Sequence, residues 1–231
     1  MPVSTVRDRR RAETVAEIKA AALRELVDAG PGGFSLRGVA REVGMTVQSL
    51  YHYFANRDAL LTTLVVDAHH ASADAVQAAV DATRGRPAVD RRLAACQAFR
   101  RWALDNRAAF LLLYGTPVPG FTPLAENEVG QAAWRLSRPF AEVVFHGWTR
   151  EQLEAVPLET DALGAADVAK FGMPTGATAL FIEQRARMHG LVTLELLGHL
   201  HPFQAEAAAL FEGAIRRMSA ETDAAQRAVG G

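Results

Sequence analysis

Residues 35–58 read SLRGVAREVGMTVQSLYHYFANRD, and this stretch decides the fold of the N-terminal part of the chain. Its first apolar residues recur at three- and four-residue steps, as on one face of a helix: Leu36, Val39, Ala40 and Val43. Gly44 can adopt the left-handed conformation that ends a helix, and the hydroxyls of Ser35 and Thr46 can cap helix starts. The pattern predicts a helix, a tight turn and a second short helix.

The second helix is predicted to expose most of its side chains. Leu50 and Phe54 point inward, which leaves six side chains mostly outward: Val47, Gln48, Ser49, Tyr51, His52 and Tyr53. A short exposed helix beyond a turn of three or four residues is what the major groove of DNA admits. The two helices are therefore interpreted as a helix-turn-helix unit that binds DNA.

Individual roles follow from side-chain chemistry. Gln48 can form two hydrogen bonds with adenine, and Val47 can contact a thymine methyl group. Arg37 can reach a phosphate or a base edge, and Arg57 can hold a phosphate together with the amides at its helix start. The two tyrosines either contact phosphates or simply pack, and His52 either contacts DNA or stays solvated. The predicted DNA-binding set is Ser35, Arg37, Thr46, Val47, Gln48, Ser49, Tyr51, His52, Tyr53 and Arg57.

The composition of the chain fits a globular, all-α protein. It has 231 residues, 49% of them hydrophobic, and a formal net charge of only −1. A DNA-binding protein with this balance must concentrate its positive charge locally, and these arginines do so: Arg7, Arg9, Arg10, Arg11, Arg37, Arg41 and Arg57. The first four either follow the DNA or belong to a disordered tail, which is expected over residues 1–8.

Targeting and redox signals are sparse. The one cysteine, Cys96, excludes an intrachain disulfide framework, and its spacing indicates a buried small hydrophobe. Neither a signal peptide nor an apolar run of roughly 18–20 residues, the length that spans a bilayer, is recognisable. The protein is expected in the cytoplasm, without a membrane partner.

Hydrophobic periodicity predicts further helices. They cover 10–29, 58–83, 88–105, 107–115, 124–150 with Pro139 inside, 176–200 and 203–219. Three prolines make 116–123 a loop, and 157–175 is expected to be a connector with a helical turn at 162–170. The predicted domains are a helix-turn-helix domain over 10–60, linked by the 58–83 helix, and a ligand-binding and dimerisation domain over 84–220.

The N-terminal 70 residues resemble the tetracycline-repressor (TetR) family of bacterial transcription regulators. The resemblance rests on FSLRGVAREVGMT at 34–46, LYHYF at 50–54 and NRDALL at 56–61, in order and without a gap. It implies three helices in a DNA-binding head, a fourth connecting helix and a helical body that binds a ligand and dimerises. The body, with His189-Gly190-Leu191, is similar to a branch with a Trp-His-Gly C-terminal domain, but Arg185 stands where that branch has tryptophan.

The body supplies bulky apolar residues and a few polar anchors, which is how pockets between bundle helices are lined. The predicted ligand-binding set is Phe99, Trp102, Phe110, Leu113, Tyr114, Phe121, Trp134, Phe140, Phe181, Gln184, Arg185, Met188 and His189. The alternative for each of them is ordinary core packing. A set of this composition favours a small, mainly hydrophobic effector.

Together these features predict a ligand-responsive regulator, a repressor that its effector releases from a palindromic operator. It would dimerise through the helices at 176–200 and 203–219, whose apolar coverage is wider than one core needs. One alternative is a DNA-binding regulator without an effector. Another is an enzyme, but the sequence shows no phosphate loop, nucleophile elbow or recognisable pair of catalytic carboxylates.

No cofactor and no metal site are expected. His69 and His70 are adjacent on a helix and point in different directions. His199 and His201 have no cysteine or carboxylate nearby at the spacing of metal ligands.

Overall fold

In the computed structural model, residues 5–123, 126–158 and 172–230 are described, and all of their regular structure is helical. The helices are α1 (Val6–Asp28), α2 (Gly30–Gly33), α3 (Leu36–Glu42), α4 (Val47–Leu50), α5 (Arg57–Ala82), α6 (Ala88–Asp105), α7 (Arg107–Tyr114), α8 (Glu126–Val144), α9 (Arg150–Glu154), α10 (Thr175–Leu196) and α11 (Ala207–Val229). A short 3-10 helix, Gln204–Glu206, precedes α11. The expected all-α class is confirmed, whereas the helical turn predicted at 162–170 lies outside the described residues.

The first helix begins earlier than its apolar pattern indicated. The Thr5 hydroxyl oxygen accepts a hydrogen bond from the amide of Asp8 at 3.2 Å, and the amide of Thr5 donates to the Asp8 carboxylate at 3.0 Å. This reciprocal cap satisfies donors at the helix start. The Thr5 hydroxyl, which also donates to that carboxylate, holds the pKa of Asp8 below its ordinary value. The prediction of disorder is therefore wrong for residues 5–8, while residues 1–4 lie outside the described part.

The chain packs as two compact units. Residues up to Ala71 and Asn106–Arg135 form the first unit, and Ser72–Asp105 and the residues from Leu136 onward form the second. This division differs from the sequence-based scheme, which places 106–135 in the second domain. The reason is that Leu112, Val118 and Phe121 pack with the core of the N-terminal helices, a contact that helical periodicity does not reveal.

The first unit is built around an apolar core. Helix α1 packs against α3 and α7, and α3 packs against α4. Ile18, Val39, Leu60 and Leu61 are fully buried there. Leu50 is only 1% exposed and Phe54 9%, so both point inward as predicted.

The second unit is centred on α6, which packs against α10 and α11. Phe99, Leu136 and Phe181 are fully buried in this unit. It also buries charged side chains, among them Arg92 and Glu195. Its interior therefore combines aromatic packing with ion pairs.

Helix boundaries in the second half differ from the predicted ones. The helix predicted over 124–150 ends at Val144, and a separate helix, α9, begins at Arg150. Gly147 between them has a φ of +80°, and the Thr149 hydroxyl caps α9 by accepting the amide of Gln152 at 3.2 Å. Pro139 does lie inside α8. Helix α10 ends at Leu196, before Gly198 with its φ of +78°. The last helix begins at Ala207 rather than 203 and continues to Val229.

Candidate functional site

The α3–turn–α4 element forms as the sequence predicts. The Ser35 hydroxyl accepts the amide of Gly38 at 3.1 Å, and the Thr46 hydroxyl accepts the amide of Ser49 at 3.1 Å. Gly44, between the two helices, has a φ of +67°. These local interactions fix where α4 starts and therefore which of its side chains face outward.

Five of the predicted DNA contacts are exposed, and one of them is the capping residue Thr46. Arg37, Gln48 and His52 lie on the surface, and Tyr51 is 45% exposed. Within the described residues, no hydrogen bond engages the side chains of Arg37, Gln48 or Tyr51. Their polar groups are therefore available to an external partner.

The other predicted contact residues on or beside α3 and α4 also form contacts within the protein. Val47 and Tyr53 are partly buried against the core of the first unit. The Ser49 hydroxyl lies 2.9 Å from that of Thr46, and the Ser35 hydroxyl donates to the Glu25 carboxylate at 3.2 Å. These residues position the recognition element, and their direct contact with DNA stays a prediction.

Arg57 is engaged within the first unit. Both of its terminal nitrogens lie 3.4 Å from the carbonyl oxygen of Pro119, to which they donate. Its guanidinium carbon lies 5.5 Å from the centroid of the Phe34 ring. Arg57 thus joins the start of α5 to the 116–123 loop, a link between residues 62 positions apart that the sequence did not suggest. To make the predicted phosphate contact, the Arg57 guanidinium would have to bind the phosphate while it also donates to the Pro119 carbonyl oxygen.

Arg11 is one of the N-terminal arginines expected either to follow the DNA or to lie in a disordered tail, and it contacts the recognition element. It donates to the carbonyl oxygen of His52 at 3.3 Å, and its guanidinium carbon lies 5.1 Å from the Tyr53 ring centroid. A groove beside Tyr53 is also lined by Arg7 and Arg10. The first turns of α1 therefore place positive charge beside the end of the recognition element, where phosphates would bind favourably.

The second unit contains a cavity. Four of the predicted ligand-binding residues line it: Phe140, Gln184, Arg185 and Met188. Eight further lining residues were not predicted: Arg92, Cys96, Val143, Val144, Ile215, Met218, Ser219 and Thr222. The cavity volume is about 30 Å³, and about 410 Å³ of space is free of atoms when the open mouth is counted.

The remaining predicted ligand-binding residues lie elsewhere. Four pack in the second unit without lining the cavity: Phe99, Trp102, Phe181 and His189. The ring centroids of Phe99 and His189 are 4.7 Å apart, which is ordinary aromatic packing. Five others belong to the first unit: Phe110, Leu113, Tyr114, Phe121 and Trp134. Periodicity identified the apolar faces but not the neighbours against which they pack.

The arginines on the cavity wall have internal partners. Arg92 donates to the carbonyl oxygens of Val143 at 3.0 Å and Val144 at 3.1 Å, to the Ser219 hydroxyl at 2.8 Å and to the Asp223 carboxylate. Arg185 donates to the Ser137 hydroxyl at 2.6 Å. Arg92 is therefore part of the framework that joins α6 to α8 and α11.

The described residues contain neither a metal-binding cluster nor a membrane-spanning helix. No three side chains of His, Cys, Asp or Glu come together there as a metal-binding group. None of the helices in those ranges has the length and apolar character needed to cross a bilayer.

Two family profiles match the chain. "Bacterial regulatory proteins, tetR family" matches residues 18–64, and "Tetracyclin repressor-like, C-terminal domain" matches residues 93–218. Neither description names a Trp-His-Gly domain, so that assignment stays a prediction.

Individual relatives point the same way. The HTH-type transcriptional regulators Rv1816 of Mycobacterium tuberculosis and Mb1846 of Mycobacterium bovis are each 43% identical over 109 residues, which is 47% of this chain and 47% of theirs. The match spans about half the length of these curated relatives.

Two solved structures have the same fold. SCO4313, whose structure is described as that of a regulatory protein, is 30% identical with a TM-score of 0.71, covering 93% of this chain and 98% of that one. A tetR family regulatory protein from Rhodococcus RHA1 is 19% identical with a TM-score of 0.64, covering 89% of this chain and 96% of its own. At that identity the second likeness concerns the fold alone.

Proposed function

This chain belongs to the tetR family of bacterial regulatory proteins, and from that premise we propose that it is a ligand-responsive transcriptional repressor. It acts in the cytoplasm as a homodimer on a palindromic DNA operator. The observation that carries the DNA-binding part is the exposed α4 start, where Gln48 stands outward beyond a capped turn. Family membership makes the protein a regulator rather than an enzyme.

The residues that would contact DNA fall into two groups, one that binds base edges and one that binds phosphates. Gln48 specifies a base pair by its paired donor and acceptor, while Arg37, Tyr51 and the arginines of α1 position the helix on the backbone. Arg37→Ala or Tyr51→Ala should weaken binding to all sequences, and Arg37→Ala should lower the slope of log affinity against log salt by about 1. The matched control is Arg86→Ala, an exposed arginine outside the helix-turn-helix. Titrations of a labelled duplex at several salt concentrations measure both quantities.

Dimerisation is supported by exposed apolar side chains that cluster in sequence near the end of the chain. Five large ones lie between 182 and 210: Ile182, Leu194, Leu197, Phe203 and Leu210, from 40% to 60% exposed. Ile182, Leu194 and Leu210 lie on α10 and α11, and pairing these helices with those of a second copy would bury them in a four-helix bundle. A symmetric dimer then matches two half-sites about one DNA turn apart.

Light scattering tests the dimer. The wild-type chain should have the mass of a dimer at micromolar concentration, and Leu210→Glu should shift it toward the monomer because it places a charge in the interface. Leu104→Glu, at an exposed position on α6, is the matched control and should leave the mass unchanged. A monomeric wild-type protein would contradict the proposal.

The effector part rests on the cavity in the second unit. A ligand that binds only the folded protein raises its melting temperature by mass action, so a thermal-shift screen can find one. Linkage then requires the effector and the operator to weaken each other's binding by the same factor. If no compound that raises the melting temperature changes operator affinity, the protein is a regulator without a small-molecule switch.

A further inference from the structure

One polar side chain on the cavity wall is buried without a hydrogen bond. Gln184 on α10 lines the cavity and is only 6% exposed. Within the described part of the chain, nothing donates to or accepts from its side-chain amide. Buried polar groups in native proteins nearly always have a partner. An unmatched amide on a cavity wall therefore marks the place where a bound molecule would supply one.

Apart from Arg92 and Arg185, most of the surface that the wall turns to the cavity is apolar. Phe140, Val143 and Ile215 contribute hydrocarbon surface, as do Met188 and Met218. Cys96 also lines the cavity, and burial raises the pKa of its thiol to about 12, so the thiol stays neutral. A molecule in this cavity meets hydrocarbon on most sides.

The buried cation on the wall, Arg92, is already satisfied. Three backbone carbonyls, those of Val143, Val144 and Ser219, and the Ser219 hydroxyl accept its donors, and the Asp223 carboxylate balances its charge. A ligand carboxylate would have to compete with Asp223 for this guanidinium and lose its own hydration. Ion pairing through Arg92 therefore gives no advantage to an anionic ligand.

We infer that the cavity takes an uncharged, mainly apolar small molecule whose one polar group is a cis-amide of the lactam type, paired with Gln184. A carboxamide offers an N–H donor and a carbonyl acceptor side by side. A lactam offers the complementary pair, so two hydrogen bonds form at once. This inference rests on the proposed effector response, because it names the chemistry of that effector.

Entry of the ligand requires the walls to move. The cavity of about 30 Å³ holds about two water molecules, which is less than a six-membered ring needs. Met188 on α10 and Met218 on α11 have unbranched, flexible side chains that can repack around a guest. Ligand binding is thereby coupled to repacking between these two helices.

Three probes of matched size test the inference: 2-piperidone, a six-membered lactam; cyclohexanone, which lacks its N–H; and cyclohexanecarboxylate, an anion. Affinities are measured on the full-length protein by NMR titration. We expect 2-piperidone to bind roughly tenfold more tightly than cyclohexanone, since the ketone leaves one hydrogen bond of Gln184 unmade. Gln184→Leu should abolish this preference without lowering the melting temperature. Gln97→Leu, a half-buried glutamine on α6 that does not line the cavity, should retain it.

Three results would overturn the inference: equal or tighter binding of the ketone or the carboxylate, no saturable binding of the lactam at millimolar concentration, or an unchanged preference in Gln184→Leu. Operator affinity is measured in the same samples. A lactam that binds through Gln184 but leaves operator affinity unchanged supports the inference and contradicts the ligand response instead. The two failures are therefore distinguishable.

Discussion

Different kinds of interaction stabilise the interiors of the two units. The core of the first unit is built mainly from apolar side chains, and the buried polar residues among its described positions are Thr62 and His69. The second unit buries Arg91, Arg92 and Glu195, which are the buried charged side chains among the described residues. Its ion pairs join residues far apart in the chain: Arg92 and Asp223 are separated by 131 positions, and Arg100 and Glu195 by 95.

This difference fits the two tasks that we propose. A head that reads DNA must hold a few side chains in fixed positions, and a mainly apolar core, with no buried Asp, Glu, Lys or Arg among its described residues, fixes them. A body that responds to a ligand must have a second packing arrangement whose free energy is close to that of the first. Polar contacts in a cavity wall, with a buried glutamine that has no hydrogen-bond partner among the described residues, provide such an alternative.

The largest effect should come from breaking a buried ion pair in the second unit. The Glu195 carboxylate accepts a hydrogen bond from Nε of Arg100 at 2.7 Å and another from Nη2, and Glu195 is 6% exposed. Glu195→Ala leaves the Arg100 charge partly buried and alone, so the free energy of unfolding should fall by about 3–5 kcal/mol. Urea denaturation measures this change.

The matched control is Glu221→Ala, because Glu221 pairs with Arg187 at the surface. Its loss should cost only about 0.2–1 kcal/mol. Equal effects at the two glutamates would contradict the contrast between buried and exposed pairs in this unit.

In the first unit the large effects should come from apolar truncation instead. Leu50→Ala removes a side chain that is 1% exposed in the core beneath α4. The expected cost is about 2–5 kcal/mol of unfolding free energy, together with loss of DNA binding. Val27→Ala, at an apolar position of α1 that is 54% exposed, should change stability little. If Leu50→Ala unfolds no more easily than Val27→Ala, the apolar core is not the main source of stability in the first unit.

A smaller effect is expected at the start of α10. A Cβ atom at Gly176 would overlap the backbone carbonyl oxygen of Val156, which cannot swing aside as a side chain can. Gly176→Ala should therefore cost about 1–3 kcal/mol. Gly190 lies on the same helix, and a Cβ atom there would meet nothing within 4 Å. Gly190→Ala should therefore stabilise the protein by roughly 0.5–1 kcal/mol, because alanine favours helices. Thermal unfolding of the two variants should show shifts of opposite sign.

The same contrast explains what the sequence could reveal. The caps at Ser35 and Thr46 bind amides three residues further on, and Gly44 acts through its own backbone conformation. The helix-turn-helix was therefore predictable from local chemistry. The caps at Thr5 and Thr149 carried the same kind of signal, with Asp8 and Gln152 three residues on, and reading them would have corrected two helix boundaries.

The cavity was not predictable in this way. Four of its lining residues were in the predicted set, but Ile215 and Met218 on α11 meet α6 and α8 only through tertiary packing. Periodicity shows which face of a helix is buried, not which helix covers it. For the same reason the link from Arg57 to Pro119 had no sequence signal.

The most direct test of the central claim is selection of bound duplexes from random DNA, carried out in parallel with the wild-type protein and Gln48→Ala. The wild-type protein should enrich a palindrome with half-sites about one DNA turn apart. Gln48→Ala should lose preference at one or two base pairs of each half-site, at a cost of about 1–3 kcal/mol per half-site. No enrichment by the wild-type protein, or an identical consensus and affinity for both proteins, would contradict the claim that this surface reads DNA.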